Sequence, residues 1–221
     1  MQILLLRWAE GFGRHHPAAT LEIDGRGSRA ALNSFARSGI DFAALSREPD
    51  DSELARIGAR PQLLTAGWDT LRIFRRDGAS DPRLRTGSFS GEAGGLRPFG
   101  RNLASGTRAE AEASLGAGAT GPRVRSQPSP GRVEDAVSSD PRAVGYGGGG
   151  WRLSRNLPVG GALRARPLVL AFRAGRLSVL SREFASFVLS REGQELVFRS
   201  GFQPLHPDSL ALARRRLGLD G

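Results

Sequence analysis

Two short segments carry most of the chemistry this sequence offers. Gly25-Arg26-Gly27-Ser28-Arg29 and Ala104-Ser105-Gly106-Thr107-Arg108 each place glycine and a hydroxyl where a helix begins. The first N–H groups of a helix lack partners within it, and the helix dipole is positive there. A small anion can rest on those amides and accept a hydroxyl hydrogen bond as well, with glycine allowing close approach. The same residue types are also ordinary N-caps, so neither segment is diagnostic alone. Arg47 follows Ser46 at a strand end, and Arg101 stands just ahead of the second segment. A guanidinium can clamp an oxyanion through two parallel hydrogen bonds. In a chain this rich in arginine, a single one is more often a solvated surface residue than a ligand.

Other chemistries find little support. Ser105 and Ser154 have no base at a motif spacing, and no G-x-S-x-G elbow occurs. There is no Walker A loop, because the sequence contains no lysine to complete one. His15, His16 and His206 do not fall at metal-ligand spacings from nearby acids and read as surface residues. The expectation is therefore of no enzyme activity, no metal and no cofactor.

Composition sets the outer limits. The 221 residues suffice for one large domain or two small lobes, and 39% hydrophobic content supports a buried core. Cysteine is absent, which removes disulfides and thiol chemistry. The net charge is +10 and the isoelectric point near 11.5. All 32 basic side chains are arginine, in a background rich in Gly and Ala, so the bias looks compositional. The arginines are dispersed, the densest run being Arg214-Arg215-Arg216, and aromatics make up only 7%. That is too little for a base-stacking platform, so no nucleic-acid partner is expected. Met1–Leu6 is apolar, but Arg7, Glu10 and Arg14 follow at once. Neither a membrane span nor an export signal is expected in the chain as read.

The elements that must position these residues alternate between helix and strand, which implies an α/β class with largely parallel sheets. Helical periodicity is expected over Leu4–Phe12, Arg29–Arg37 (ended by Gly39), Asp50 onward, Arg108–Leu115 and Val133–Val137. It is clearest over Ser181–Phe198, where Phe184, Phe187, Val188, Leu196 and Val197 recur on one face. Strands are expected at Ala19–Ile23, Asp41–Leu45, Gln62–Thr65, Asp69–Phe74, Ala143–Tyr146 and Pro167–Phe172. Arg76–Gly100 and Gly116–Gly131 read as irregular.

The order of these motifs resembles the periplasmic phosphate-binding protein family, the substrate-binding components of phosphate ABC importers. The likeness runs from Arg7-Trp8-Ala9-Glu10-Gly11-Phe12 through Leu21–Ser28 and Asp41–Arg47. It continues through Arg101 with Ser105-Gly106-Thr107-Arg108, then Val144-Gly145-Tyr146. It ends with Phe184–Ser190, Glu192-Gly193-Gln194 and Gly201-Phe202-Gln203-Pro204-Leu205. The final block is the most specific of these.

The resemblance implies a two-lobed type II periplasmic-binding-protein-like fold: lobe I from 1–68 and 173–221, lobe II from 69–172. Leu71–Phe74 and Leu168–Phe172 would be the crossover strands, and the lobes would close on the ligand. It implies an oxyanion, phosphate first, held by Ser28, Ser46, Arg101, Ser105, Gly106 and Thr107, with Arg47 at the same binding turn. It further implies a monomer, an ABC importer permease as partner and a periplasmic location. The family has a leader, a strand and a Gly-Ser/Thr anion loop before its first helix. This chain starts inside that helix, which implies a shortened first lobe in which Ala19–Ile23 and Asp41–Leu45 are separated by a gap or pair directly. The segment between the first crossover and Arg101 is also short. Arg47 stands where phosphate-specialised relatives place Asp after the serine of the binding turn. A guanidinium cannot accept the proton of hydrogen phosphate, so rejection of sulfate is not expected from this position. Two other readings stay open: a degenerate or mis-started fragment without binding activity, and an arginine-rich polyanion or nucleic-acid binder.

Overall fold

The computed structural model describes residues 1–37, 40–57, 61–77, 95–116, 121–149, 162–173 and 177–219. Ser154, Gly39 and most of the irregular 76–100 stretch lie outside the described residues. The chain divides into two compact units, Met1–Trp68 with Pro167–Gly221, and Asp69–Arg166.

The first unit opens with helix α1 (Gln2–His15). Its Leu4, Leu5, Trp8, Gly11 and Phe12 form one buried face, the helical repeat seen in the sequence. Phe12 meets Phe184 and Phe187 edge-on, with ring centroids 5.4 and 5.8 Å away. Each such buried apolar side chain contributes about 1.5–3 kcal/mol. Helix α2 (Ser28–Ala36), strand β1 (Phe42–Leu45) and helix α3 (Asp51–Ile57) follow. Strand β2 (Gln62–Arg75) begins in this unit and ends in the other, and strand β6 (Ala162–Phe172) does the reverse. β1 pairs antiparallel with β6, Phe42 opposite Phe172 and Leu45 opposite Val169. Alternation sends Ala43, Leu45, Val169 and Ala171 to one face, against Leu32 and Phe35 of α2. Leu168, Leu170 and Phe172 go to the other face, against α1 and the C-terminal helices.

Three expectations change here. Ala19–Ile23 forms no strand; Ala19, Leu21 and Ile23 still tuck against the core, but β1 takes β6 as its partner. Val169–Phe172 belongs with the first unit because it is laddered to β1, so the second division falls after Arg166 and not after Phe172. The long helix expected over Ser181–Phe198 is two helices, α6 (Val179–Val188) and α7 (Arg191–Arg199). Ser190 caps the second by accepting from Gly193 N–H. A Cβ on Gly193 would lie 2.1 Å from the Phe187 carbonyl oxygen, so only glycine fits this turn. Helix α8 (Pro207–Arg216) closes the chain and was not expected from its periodicity.

In the second unit, β2 pairs antiparallel with strand β5 (Ala143–Gly147). β5 lies parallel to strand β3 (Arg97–Arg101), and β3 parallel to strand β4 (Arg125–Gln127). β3 and β4 fall in stretches read as irregular. The sheets are thus mixed and not largely parallel, because β2 leads out of one unit and β6 returns, each antiparallel to the strand it meets. Gln62–Thr65 and Asp69–Phe74, expected as two strands, are one, since Gly67 and Trp68 continue it. Helix α4 (Gly106–Leu115) supplies Ala111 to a core of Leu71, Ile73, Val144 and Tyr146. Helix α5 (Pro130–Ser139) supplies Val133 and Val137 to a second core with Phe74, Phe99 and Ala143. Among the described residues, no helix is long and apolar enough to cross a membrane.

Candidate functional site

Each unit brings some of the sequence-expected residues together. In the first, Gly27 has φ 105°, a conformation suited to glycine, and turns the chain so that Ser28 opens α2. Ser28 Oγ accepts from Ser46 N–H at 3.1 Å, and the two hydroxyl oxygens stand 3.4 Å apart. Both serines are buried. The end of β1 and the start of α2 therefore present two hydroxyls at one point. Arg47, next in sequence, turns to Glu53. Its two Nη atoms each donate at 2.6 Å to a different carboxylate oxygen, and Nη1 also donates to the Glu48 carbonyl at 2.8 Å. Burial alone would raise the Glu53 pKa, but the Arg47 hydrogen bonds and the Asp50 N–H hold it below the ordinary value.

In the second unit, β3 ends at Arg101 and α4 starts at Gly106. Ser105 is the N-cap, its Oγ accepting from Thr107 N–H at 3.2 Å. Arg101, Ser105, Gly106 and Thr107 are all buried. Arg101 N–H donates to Tyr146 Oη at 3.1 Å, and its Nη2 donates to the Pro128 carbonyl at 3.1 Å. A Cβ on Gly100 would meet Tyr146 Oη at 2.5 Å, so a glycine there lets the phenol reach the strand. Burial pushes the Arg101 pKa down to about 10; the Tyr146 phenol works against that shift and Arg166 adds to it. At neutral pH, Arg101 is still a cation, held in a poorly solvated place.

Arg166 and Asp69 were not singled out from sequence. Arg166 is 3% exposed and Asp69 is 3% exposed. Arg166 Nε and Nη2 donate to Asp69 Oδ2 at 3.0 and 2.7 Å, and Nη2 also donates to Thr107 Oγ1 at 3.0 Å. Asp69 Oδ1 accepts from Gly149 N–H at 2.8 Å. Burial would push the Asp69 carboxyl up, but the Arg166 charge and the Gly149 N–H more than offset this and hold it low. One signal was available: Asp69 lies on the same strand face as Leu71 and Ile73, and a charge on a buried face implies an ion pair or a site.

The motif Glu192-Gly193-Gln194 has a different role. Gln194 Nε2 donates to the carbonyls of Ala66 and Val188, and its Oε1 accepts from Leu205 N–H at 2.9 Å. Trp8 Nε1 donates to the Gly193 carbonyl at 3.0 Å. The C-terminal signature thus fastens α1, β2 and α7 together. Two histidines sit at the surface, His15 2.7 Å from Glu192 and His206 as the cap of α8, while His16 is half-buried and stacks on Phe12 with ring centroids 4.1 Å apart. Among the described residues, no group of three His, Asp or Glu side chains is placed to hold a metal ion.

No protein-family model matches the chain. The phosphate-binding protein PstS of Pseudomonas aeruginosa is 26% identical over 270 aligned residues, spanning 98% of this chain and 84% of that protein. The chain is thus similar, at a divergent level, to a phosphate-binding protein over nearly its whole length. Solved structures agree on the fold. A structure with bound phosphate from Clostridium perfringens, assigned to a phosphate ABC transporter substrate-binding protein, has a TM-score of 0.75 at 16% identity, covering 92% of this chain and 95% of that one. An ABC-type phosphate transport receptor from Vibrio cholerae has a TM-score of 0.71 at 18% identity, covering 91% and 95%. The architecture is the α/β type II fold of phosphate-binding proteins, as the motif order implied.

Proposed function

We propose that the chain binds a small tetrahedral oxyanion, phosphate first, and presents it to the permease of an ABC importer from the periplasmic side. The observation that carries this is the tip of α4. There the Ser105-capped helix N-terminus, the Thr107 hydroxyl and the buried Arg101 cation are held by one unit, in a chain related to phosphate-binding proteins. A helix N-terminus offers amide donors and a positive dipole end, and the guanidinium adds a full charge. In the other unit, Ser28 and Ser46 bring two hydroxyls together at one point. The role is that of a monomeric receptor that binds without chemical conversion: the candidate residues are hydrogen-bond donors, and none forms a nucleophile–base pair.

Isothermal titration of the purified chain with phosphate and with sulfate tests this. Uptake of phosphate by the unaltered protein is expected, with a loss of at least about tenfold in affinity for Arg101→Ala combined with Thr107→Ala. Equal affinity in the double variant would overturn the site assignment.

A further inference from the structure

We infer that Arg166 is a further oxyanion-binding residue, donating from Nη1 beside the Thr107 hydroxyl while Asp69 holds the rest of its guanidinium in place. This rests on the proposed function and deepens it.

An arginine has five N–H donors in a rigid fork. Asp69 takes the edge formed by Nε and Nη2, and Thr107 Oγ1 shares Nη2. Nη1 is buried and has no hydrogen-bond partner among the described residues. The same is true of Nε on Arg101. Two buried guanidiniums with unused donors therefore flank the first turn of α4, near enough that Arg166 lowers the Arg101 pKa. Buried donors normally find acceptors, and a cluster of unmet ones implies an acceptor that arrives.

A purely structural ion pair explains less. Such a pair would satisfy itself, and a buried salt bridge is by itself a weak means of stabilising a fold. Here Asp69 cancels the charge of Arg166 yet leaves Nη1 uncommitted, and Thr107 links that guanidinium to the helix tip. Asp69 is largely committed within the protein: Oδ2 accepts two bonds from Arg166 and Oδ1 one from Gly149. The ligand class that fits is a tetrahedral dianion whose oxygens accept from these donors, such as monohydrogen phosphate or sulfate.

The test compares phosphate and sulfate affinities of the unaltered protein with those of Asp69→Asn combined with Arg166→Gln. The Asn–Gln pair keeps a hydrogen bond where the ion pair stood and leaves no buried charge behind. Circular dichroism and the unfolding temperature without anion establish that the fold is kept. The expected result is a loss of at least tenfold in affinity for both anions, with Arg166→Lys intermediate. Unchanged affinity in the folded double variant, with binding still lost in Arg101→Ala combined with Thr107→Ala, overturns the role of Arg166 alone. Absence of binding by the unaltered protein overturns this role and the proposed function together. Should the double variant not fold, the unaltered protein decides: the Arg166 Nε–H resonance should move on saturation with phosphate, and a resonance that stays in place overturns the inference.

Discussion

Arg47 and Glu53 meet through both arms of the guanidinium, each Nη 2.6 Å from its own carboxylate oxygen, with both side chains buried. The pair links the turn after β1 to the first turn of α3. It gives the arginine beside Ser46 a structural employment that its position in the sequence does not reveal.

Replacing Arg47 by alanine should therefore act mainly on stability. Removing one partner of a buried pair leaves the other charge stranded, typically at about 3–5 kcal/mol. Thermal unfolding should shift down markedly, while phosphate affinity of the folded fraction stays within about threefold. A large affinity loss at unchanged stability would return Arg47 to the ligand set.

Acid should weaken the fold through two carboxylates. Asp69 and Glu53 both have folded-state pKa values below their ordinary 3.8 and 4.5. A depressed carboxylate stabilises the fold above its unfolded value, and that contribution is lost as pH falls through the folded value. Urea midpoints should hold steady from pH 7 to about 5 and then fall steeply below about 4. Asp69→Asn should flatten part of that fall.

Anion binding should follow the opposite end of the scale. With Arg101 titrating near pH 10, sulfate affinity should be level from pH 6 to pH 9 and decline as pH passes 10. Phosphate affinity should also rise as the anion loses its second proton near neutrality, since guanidiniums and amides only donate. Calorimetry from pH 6 to beyond pH 10 reads both. A phosphate affinity that improves on acidification would mean that a hydroxyl or carboxylate at the site accepts the ligand's proton.

Gly100→Ala tests the coupling of the phenol to the site. The added methyl would displace Tyr146 Oη from the Arg101 N–H. Overpacking of this kind costs about 1–3 kcal/mol, and a weaker phosphate affinity should accompany it because Arg101 loses its anchor. An alanine variant with native stability and affinity would show that the phenol does not position Arg101.

Much of this was legible in the sequence because it rests on local rules. The buried face of α1, the cap at Ser105 and the strand Ala143–Gly147 follow from periodicity and capping. β3 was hidden because Arg97-Pro98-Phe99-Gly100-Arg101 carries a proline and a glycine and becomes a strand only through its neighbours β4 and β5. The split between α6 and α7 was hidden because an apolar period continues across Leu189–Ser190; a tight approach to Gly193 decides it. Among the candidate site residues, Ser28, Ser105 and Thr107 announced themselves by their place at helix starts, and Ser46 by its place at a strand end. Arg166 did not, since nothing local separates it from 31 other basic residues, and its meaning depends on Asp69, 97 positions away.

Tyr146 is the only tyrosine in the chain, and its hydroxyl lies against the backbone of Arg101. Burial raises its pKa, although the Arg101 N–H opposes the shift. The protein thus has a single phenolic chromophore at the root of the proposed anion site. Its ultraviolet difference spectrum, or one ring-labelled tyrosine signal, would report occupancy without any dye or substitution.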